Sequence, residues 1–215
     1  MIKIEFDSVD GAGKTTALKY FAEQARQRGL IVVETREVGN PHVPSCVKMR
    51  EFVLDPTSNL TGEAMECIFS AMRFENDKWF NDLANSETPP DLVVSDRGWY
   101  SHKAYTDHNV SEEFTELLYD GVMSVKTALP DVVIYFEVDT EVALKRRVKR
   151  GTGMDVIEMK GIQYQEDVRE SFEKYLDADC DDVDIYSVDA NGTIEEVQAQ
   201  LNKILDDLVE TFELK

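Results

Sequence analysis

The chain has 215 residues, of which 42% are hydrophobic, and its formal net charge at pH 7 is −20. This length and apolar content fit one α/β domain with a sizeable core. The negative charge opposes binding to nucleic acids, so a phosphorylated ligand requires local basic residues. No apolar run approaches the ~20 residues of a membrane span, and the opening segment lacks an export-signal pattern. We therefore expect one domain over residues 1–215, located in the cytoplasm, without membrane or nucleic-acid partners.

The chain opens with a strand, a Gly-rich turn and a helix. Residues 2–6 alternate as a short strand, and the following Asp-Ser-Val-Asp-Gly-Ala-Gly-Lys-Thr-Thr segment leads into a helical apolar pattern. Gly29 is a typical helix end, and residues 30–35 form a second apolar, β-branched run. This order of elements predicts a βαβ unit with parallel strands.

Strands and helices continue to alternate along the chain. Further strands are predicted at 92–95, 132–138 and 184–188, and helices at about 61–84, 111–128, 140–150, 161–177 and 193–211. The pattern predicts an α/β fold, a doubly wound five-stranded parallel sheet with helices on both faces. Residues 151–160, which begin Gly-Thr-Gly, predict a small lid loop that closes over a ligand.

The turn after the first strand has the pattern of a phosphate-binding loop. Gly11 and Gly13 allow backbone amides to approach phosphate oxygens, and the N-terminus of the next helix adds a positive end. Lys14 is expected to neutralise β- and γ-phosphates, and Thr15 to ligate Mg²⁺. This pattern normally opens with Gly, and Ser8 stands there instead. Backbone strain is therefore expected at Ser8 if that position needs an angle that only Gly tolerates.

A second metal ligand is expected at the carboxyl end of another central strand. The run Leu-Val-Val-Ser ends at Asp96, and Arg97 follows it. Open α/β sheets bind ligands at this edge, so Asp96 is predicted to hold Mg²⁺ together with Thr15. The alternative is a surface Asp-Arg pair that closes a loop.

Beyond these motifs, the sequence resembles the thymidylate kinase family of P-loop nucleoside monophosphate kinases over nearly its whole length. The segments that carry the resemblance are 6–16, 36–40, 67–73, 96–105, 130–139, 141–151 and 189–191. In the family's Asp-Arg-Tyr motif, Gly98 replaces the tyrosine. The resemblance implies transfer of the γ-phosphoryl group of ATP to dTMP, giving dTDP and ADP, with Mg²⁺ as cofactor. It also implies a homodimer that packs through helices.

The resemblance assigns roles to particular residues. Phe69 is expected to stack on the pyrimidine, Arg73 to bind a base carbonyl and Tyr105 to crowd the 2′ position; an aromatic face contributes about 1–3 kcal/mol per stacked base. Without the family pattern, Phe69 and Tyr105 would be assigned to core packing. The full substrate-binding set is Asp10, Arg36, Arg50, Phe69, Arg73, Arg97, Ser101, His102, Tyr105 and Gln165. The ATP-binding set is Asp10, Gly11, Ala12, Gly13, Lys14, Thr15, Thr16, Arg150 and Ala190.

The sequence offers more than one candidate for the cation that stabilises the transferred phosphoryl group. The phosphate loop has no basic residue at Val9, Gly11 or Ala12, and the resemblance then implies an arginine in the lid. Where family members often have Asp-Arg, this lid has Asp-Val at 155–156. Arg147 and Arg150, just before the lid, are therefore candidates, unless they only complement the helix dipole. The predicted catalytic set is Lys14, Asp96, Arg97, Arg147 and Arg150.

Two substitutions leave alternatives for the substrate. Gly98 removes bulk and His102 changes the wall that faces the base, so a pyrimidine with a larger C5 substituent, such as hydroxymethyl, is a hypothesis. A related P-loop kinase could instead act on another deoxynucleotide, a nucleoside or a hydroxymethyl pyrimidine in DNA. A third alternative is a nucleotide-dependent switch without acceptor turnover.

Overall fold

Five parallel strands form one sheet at the centre of the fold. The computed structural model describes residues 1–123, 129–150, 161–178 and 183–214, without the side chains of Met123 and Arg150. The strands are β1 (Ile2–Asp7), β2 (Val32–Arg36), β3 (Leu92–Asp96), β4 (Val132–Glu137) and β5 (Asp184–Asp189). Their order in the sheet is β2-β3-β1-β4-β5, and all neighbouring pairs are parallel. The predicted sheet is confirmed, and each predicted strand agrees with the observed one to within two residues.

Helices connect the strands and cover the sheet. They are α1 (Lys14–Gln27), α2 (Pro44–Leu54), α3 (Gly62–Ala84), α4 (Trp99–Thr106), α5 (Glu112–Met123), α6 (Thr140–Arg150), α7 (Gly161–Ala178) and α8 (Ile194–Thr211). The helices α2 and α4 were not predicted, and residues 124–128 of the predicted fifth helix lie outside the described ranges. The predicted lid, 151–160, also lies outside them. Among the helices that are described, none combines the length and the apolar character needed to span a bilayer.

Local sequence explains where several helices begin and end. The Thr61 hydroxyl accepts a hydrogen bond from the Ala64 amide at the start of α3. Thr193 and Glu196 form a capping box at the start of α8, in which each side chain accepts from the other's backbone amide. Gly29 follows α1 with a φ of 91°, the left-handed conformation that ends helices.

The two faces of β1 differ in chemistry. Ile4 and Phe6 point to one side, where the Phe6 ring meets the Phe21 ring of α1 at a centroid distance of 5.4 Å. Because alternate side chains lie on opposite faces, Lys3, Glu5 and Asp7 point to the other side, and all three are buried. We refer to these three residues as the charged column. The helices therefore lie on both faces of the sheet, as predicted.

The charged column meets α3 and α4. The Lys3 ammonium lies 4.8 Å from the centre of the Phe80 ring of α3 and 3.1 Å from Glu5 Oε1. Glu5 Oε2 accepts a hydrogen bond from the Trp99 amide, at the start of α4 (2.8 Å). Burial raises the pKa of the Glu5 carboxyl to about 7, although the neighbouring Lys3 ammonium opposes the shift. A polar layer therefore separates the centre of the sheet from α3 and α4.

The helix α8 provides a test of how far the core stabilises the fold. Leu205 is fully buried, whereas Ile194, in the first turn of the same helix, is 61% exposed. Leu205→Ala should lower the free energy of unfolding by about 2–5 kcal/mol, because it removes buried methyl groups and leaves a cavity. Ile194→Ala should change it by no more than about 0.5 kcal/mol. Urea unfolding followed by circular dichroism measures both values, and similar losses in the two variants would contradict this description of the core.

Candidate active site

The Gly-rich turn between β1 and α1 is held in a tight conformation. Gly11 and Gly13 have φ values of 96° and 92°, which side chains rarely tolerate. A Cβ atom on Gly11 would lie 2.4 Å from the carbonyl oxygen of Ala143, so only Gly allows this close approach of α6. The turn therefore presents its backbone, rather than side chains, at the start of α1.

Side-chain hydrogen bonds from Ser8 and Lys14 stabilise the two ends of this turn. Ser8 has no positive φ, so the strain expected there is absent; its hydroxyl donates to the Phe136 carbonyl of β4 at 2.7 Å. The Lys14 ammonium donates to the carbonyls of Ser8 (3.1 Å) and Val9 (2.9 Å). Burial, followed by the nearby Arg97 guanidinium, lowers the pKa of Lys14 to about 8 although adjacent carboxylates oppose the shift. The ammonium thus lies inside the turn, where an anion could meet it.

Thr15 and Asp96 meet across the sheet. The register of β1 with β3 places Phe6 opposite Asp96, so the turn and Asp96 leave the sheet at the same edge. The Thr15 hydroxyl donates a short hydrogen bond to Asp96 Oδ2. Lys14 and Asp96 therefore lie on the same side of the molecule.

Arg97 connects the turn with α4. Its Nη1 donates to the Ser8 carbonyl (3.1 Å) and to the Ser101 hydroxyl (2.9 Å). Its Nη2 contacts the Asp10 carboxylate and lies 3.1 Å from the Tyr105 hydroxyl. The Arg97 backbone has a φ of 72°, a conformation that costs roughly 1–2 kcal/mol for a residue with a side chain. The cost is offset by these contacts, which fix the guanidinium in one place.

The Arg97 and Lys14 charges keep the Asp10 carboxyl ionised. Burial raises the pKa of its carboxyl, but the Arg97 and Lys14 charges outweigh burial and hold the pKa below its usual range. The Asp10 backbone amide donates to Gln165 Oε1 of α7 at 3.2 Å. Asp10 is thus an ionised acceptor between Arg97 and the cleft.

One cleft of about 980 Å³ brings together most of the predicted site residues. Those that line it are Asp10, Gly11, Gly13, Lys14, Thr15, Thr16, Arg36, Arg50, Phe69, Arg73, Asp96, Arg97, Ser101, His102, Tyr105 and Arg147. Eight Lys or Arg residues line the cleft against five Asp or Glu residues. The cleft is therefore locally basic in a chain whose net charge is −20.

At the α3 side of the cleft, Phe69 and Arg73 lie near each other and are nearly buried. The Arg73 Nη2 lies 3.0 Å from Glu37 Oε2, and its guanidinium lies over the Trp99 ring at 5.2 Å. The His102 ring stacks on the same Trp99 ring, with the two ring centroids 5.9 Å apart. Burial, followed by the Arg73 charge, lowers the pKa of His102 well below 6.5, so the imidazole is neutral.

The space beside Gly98 is not open. A Cβ atom there would lie 1.8 Å from the Glu5 side-chain carboxyl carbon and about as close to both carboxylate oxygens. The missing side chain therefore makes room for Glu5 and does not enlarge the cleft, which removes one of the two reasons to expect a larger C5 substituent.

Two consecutive arginines of α6 line the cleft and contact different loops. Arg146 donates to the carbonyls of Ala190 (2.7 Å) and Gly192 (3.1 Å), in the loop between β5 and α8. Arg147 leans on the Gly-rich turn, since a Cβ on Gly11 would lie 2.9 Å from its Cγ. Its Nε and Nη1 atoms are buried and have no hydrogen-bond partner among the described residues.

The remaining predicted residues lie around the cleft rather than along it. Ala12 and Ala190 are buried, and Gln165 accepts a hydrogen bond from the Asp10 amide of the turn. Arg150 is the last residue of α6, and its side chain lies outside the described part, as does the whole lid. Sequence reasoning missed Glu66, a buried cleft residue that accepts from Thr106 and Asn109. No local motif marks this residue, because its partners lie 40 and 43 positions away.

The Gly-rich turn, the buried Lys14 and the Thr15–Asp96 pair define the P-loop class of nucleotide-binding α/β proteins. The chain belongs to the thymidylate kinase family, whose sequence profile matches residues 6–201. It is 28% identical to the thymidylate kinase of Francisella philomiragia over 94% of this chain and 97% of that protein. It is also 25% identical to the thymidylate kinase of Fervidobacterium nodosum (94% and 98% covered) and 28% identical to that of Campylobacter curvus (93% and 97%).

The close approach of α6 to the turn can be measured by comparing two glycines. Gly11 and Gly29 both have positive φ values, but only Gly11 is crowded by other atoms. Gly29→Ala should cost roughly 1–2 kcal/mol of unfolding free energy, because only the backbone conformation is penalised. Gly11→Ala should cost clearly more, since α6 must also move. Equal losses in denaturant titrations of the two variants would mean that the contact with Ala143 is not tight.

Proposed function

We propose that the protein transfers the γ-phosphoryl group of ATP to dTMP and forms dTDP and ADP. The family assignment and the names of the relatives support this reaction. The observation that carries the proposal is that Lys14, the Thr15–Asp96 pair and the Phe69–Arg73 pair line one cleft. A site for oligophosphate therefore adjoins a site with an aromatic face and a fixed hydrogen-bond donor.

The acceptor nucleotide is proposed to lie between α3 and α4. The Phe69 ring offers a surface for the pyrimidine, and Arg73, fixed by Glu37 and Trp99, offers donors to a base carbonyl. Tyr105, whose hydroxyl lies 3.3 Å from the Asp10 carboxylate, is proposed to exclude a 2′-hydroxyl. The other residues proposed for this side are Asp10, Arg36, Arg50, Arg97, Ser101, His102 and Gln165.

The donor nucleotide is proposed to bind over the Gly-rich turn. The residues proposed for it are Asp10, Gly11, Ala12, Gly13, Lys14, Thr15, Thr16, Arg150 and Ala190. Thr15 and Asp96 fit Mg²⁺, because their facing oxygens are the hard ligands that this ion prefers. When bound, Mg²⁺ would neutralise charge on the β- and γ-phosphates.

The transfer itself requires alignment and positive charge. An oxygen of the dTMP phosphate attacks the γ-phosphorus, and the bond from that phosphorus to the β–γ bridging oxygen breaks, which leaves ADP. Arg97 is proposed to hold the acceptor phosphate, because its guanidinium is already fixed by Ser8, Asp10 and Ser101. Lys14 is proposed to neutralise charge on the leaving side.

A coupled assay of ADP release tests this function. The wild-type protein should turn over ATP with dTMP in preference to dUMP, dCMP, thymidine and 5-hydroxymethyl-dUMP. Lys14→Ala should lower kcat by about 10²–10³-fold, since it removes a positioned cation from the developing charge. Lys203→Ala, on the exposed side of α8, is the matched control and should leave kcat unchanged. ADP release that does not depend on any acceptor would indicate a nucleotide switch instead.

We further propose that Arg147 provides the cation that the Gly-rich turn lacks. Its Cγ lies against Gly11, two of its guanidinium nitrogens are buried without a described partner, and its charge contributes to the lowered pKa of Asp10. Residues 151–160 contain no Arg and a single basic residue, Lys160. Arg147 can therefore supply hydrogen-bond donors to the γ-phosphate from α6.

Removal of this side chain should act on the chemical step. Arg147→Ala should lower kcat by about 10²–10³-fold and leave the KM for dTMP nearly unchanged, because the charge it stabilises develops during transfer. Lys145→Ala removes a cation from the same helix at a position whose side chain is 76% exposed, and should have no effect. If steady-state kinetics show equal kcat values for the two variants, the catalytic cation lies elsewhere.

Two expectations stay predictions of the sequence. The family resemblance implies a homodimer that packs through helices. The location in the cytoplasm likewise stays an expectation.

A further inference from the structure

Glu5 is a buried carboxylate for which the proposed chemistry has no use. It lies at the middle of β1, the strand at the centre of the sheet, and is fully buried. Its two oxygens meet different groups: Oε1 lies 3.1 Å from the Lys3 ammonium, and Oε2 accepts from the Trp99 amide at 2.8 Å. A buried carboxyl group is costly unless its oxygens have partners, and these two contacts supply them.

The contact with Trp99 supplies a cap for α4. The first amides of a helix have no partner within the helix, and a negative charge near them is favourable. Gly98 occupies the cap position and has no side chain that could accept from these amides. Glu5, 94 positions earlier in the chain, supplies the acceptor instead.

Gly98 is explained by the same contact. Its φ is −170°, an extended conformation that any residue adopts, so backbone conformation does not require Gly here. The requirement comes from the carboxylate, which lies where a Cβ would stand. Glu5 and Gly98 therefore form a matched pair.

The helix that this pair holds forms one wall of the cleft. Ser101, His102 and Tyr105 of α4 line the cleft, and the Trp99 ring lies beneath the Arg73 guanidinium. A shift of the first turn of α4 would move all of these side chains relative to Phe69 on α3.

We propose that Glu5 is a positioning residue for the acceptor nucleotide: its carboxylate, held by Lys3, fixes the first turn of α4 and, through it, the wall that meets the base. This inference rests on the proposed function, because the acceptor is taken to be dTMP. Glu5 acts through Trp99 and Arg73 and does not touch the substrate.

Steady-state kinetics of four variants test the role. Glu5→Ala removes the cap, and Gly98→Ala pushes the carboxylate away from Trp99; each should raise the KM for dTMP by about tenfold, the factor that corresponds to a lost cap. The KM for ATP and kcat should change little. The double variant E5A/G98A should also show an increase of about tenfold rather than about a hundredfold, because the three atoms nearest to a Cβ at 98 all belong to the Glu5 carboxylate, which this variant removes. Glu5→Gln keeps an oxygen for the Trp99 amide and should stay within about threefold of the wild-type KM.

The outcomes separate positioning from a general loss of stability. A variant that merely unfolds more easily has fewer active molecules, so its apparent kcat falls while the KM of the remaining molecules stays at the wild-type value. Asp184→Asn, which removes an exposed charge at the start of β5, is the control and should leave both constants unchanged. Additive effects of Glu5→Ala and Gly98→Ala, or equal KM values for Glu5→Gln and Glu5→Ala, would overturn the positioning role alone. A wild-type protein that does not turn over dTMP would overturn the proposed function as well.

Discussion

The parallel pairing of β1 with β3 is the constraint on which the site depends. It places Phe6 opposite Asp96, so the Gly-rich turn and the Asp96-Arg97 pair emerge from the sheet at one edge. Ligands of open α/β sheets bind at this carboxyl edge, where strand ends and helix N-termini converge. The Thr15–Asp96 and Asp10–Arg97 contacts exist only because these two strands are neighbours in the sheet, although they are 81 and 87 positions apart along the chain.

The cleft concentrates positive charge in an otherwise acidic molecule. Two of its arginines form ion pairs, Arg97 with Asp10 and Arg73 with Glu37. These pairs reduce the repulsion among the basic residues of the cleft. Each of these guanidiniums is also fixed by an aromatic ring, Tyr105 for Arg97 and Trp99 for Arg73. Such preorganised cations need no rearrangement when an anion arrives, which is the main way in which electrostatic stabilisation accelerates phosphoryl transfer.

Features with a local cause were predictable from the sequence. The periods of strands and helices, the Gly-rich turn and Asp96 at a strand end identify the sheet and the place of the site. The helix α4 was not predictable in this way, because seven of its eight residues are buried and a helix without an exposed face has no amphipathic pattern. The reason for Gly98 was equally hidden, since Glu5 explains it from a distant part of the chain. The roles of the individual site residues stay proposals, which the kinetic experiments address.

The neighbouring positions of Arg146 and Arg147 on α6 have a mechanical consequence. One holds the carbonyls of the loop after β5, and the other leans on the turn after β1. Consecutive residues of a helix turn together, so a rotation of α6 about its axis displaces both contacts at once. Movements of the loop after β5 and of the turn after β1 are therefore coupled through α6.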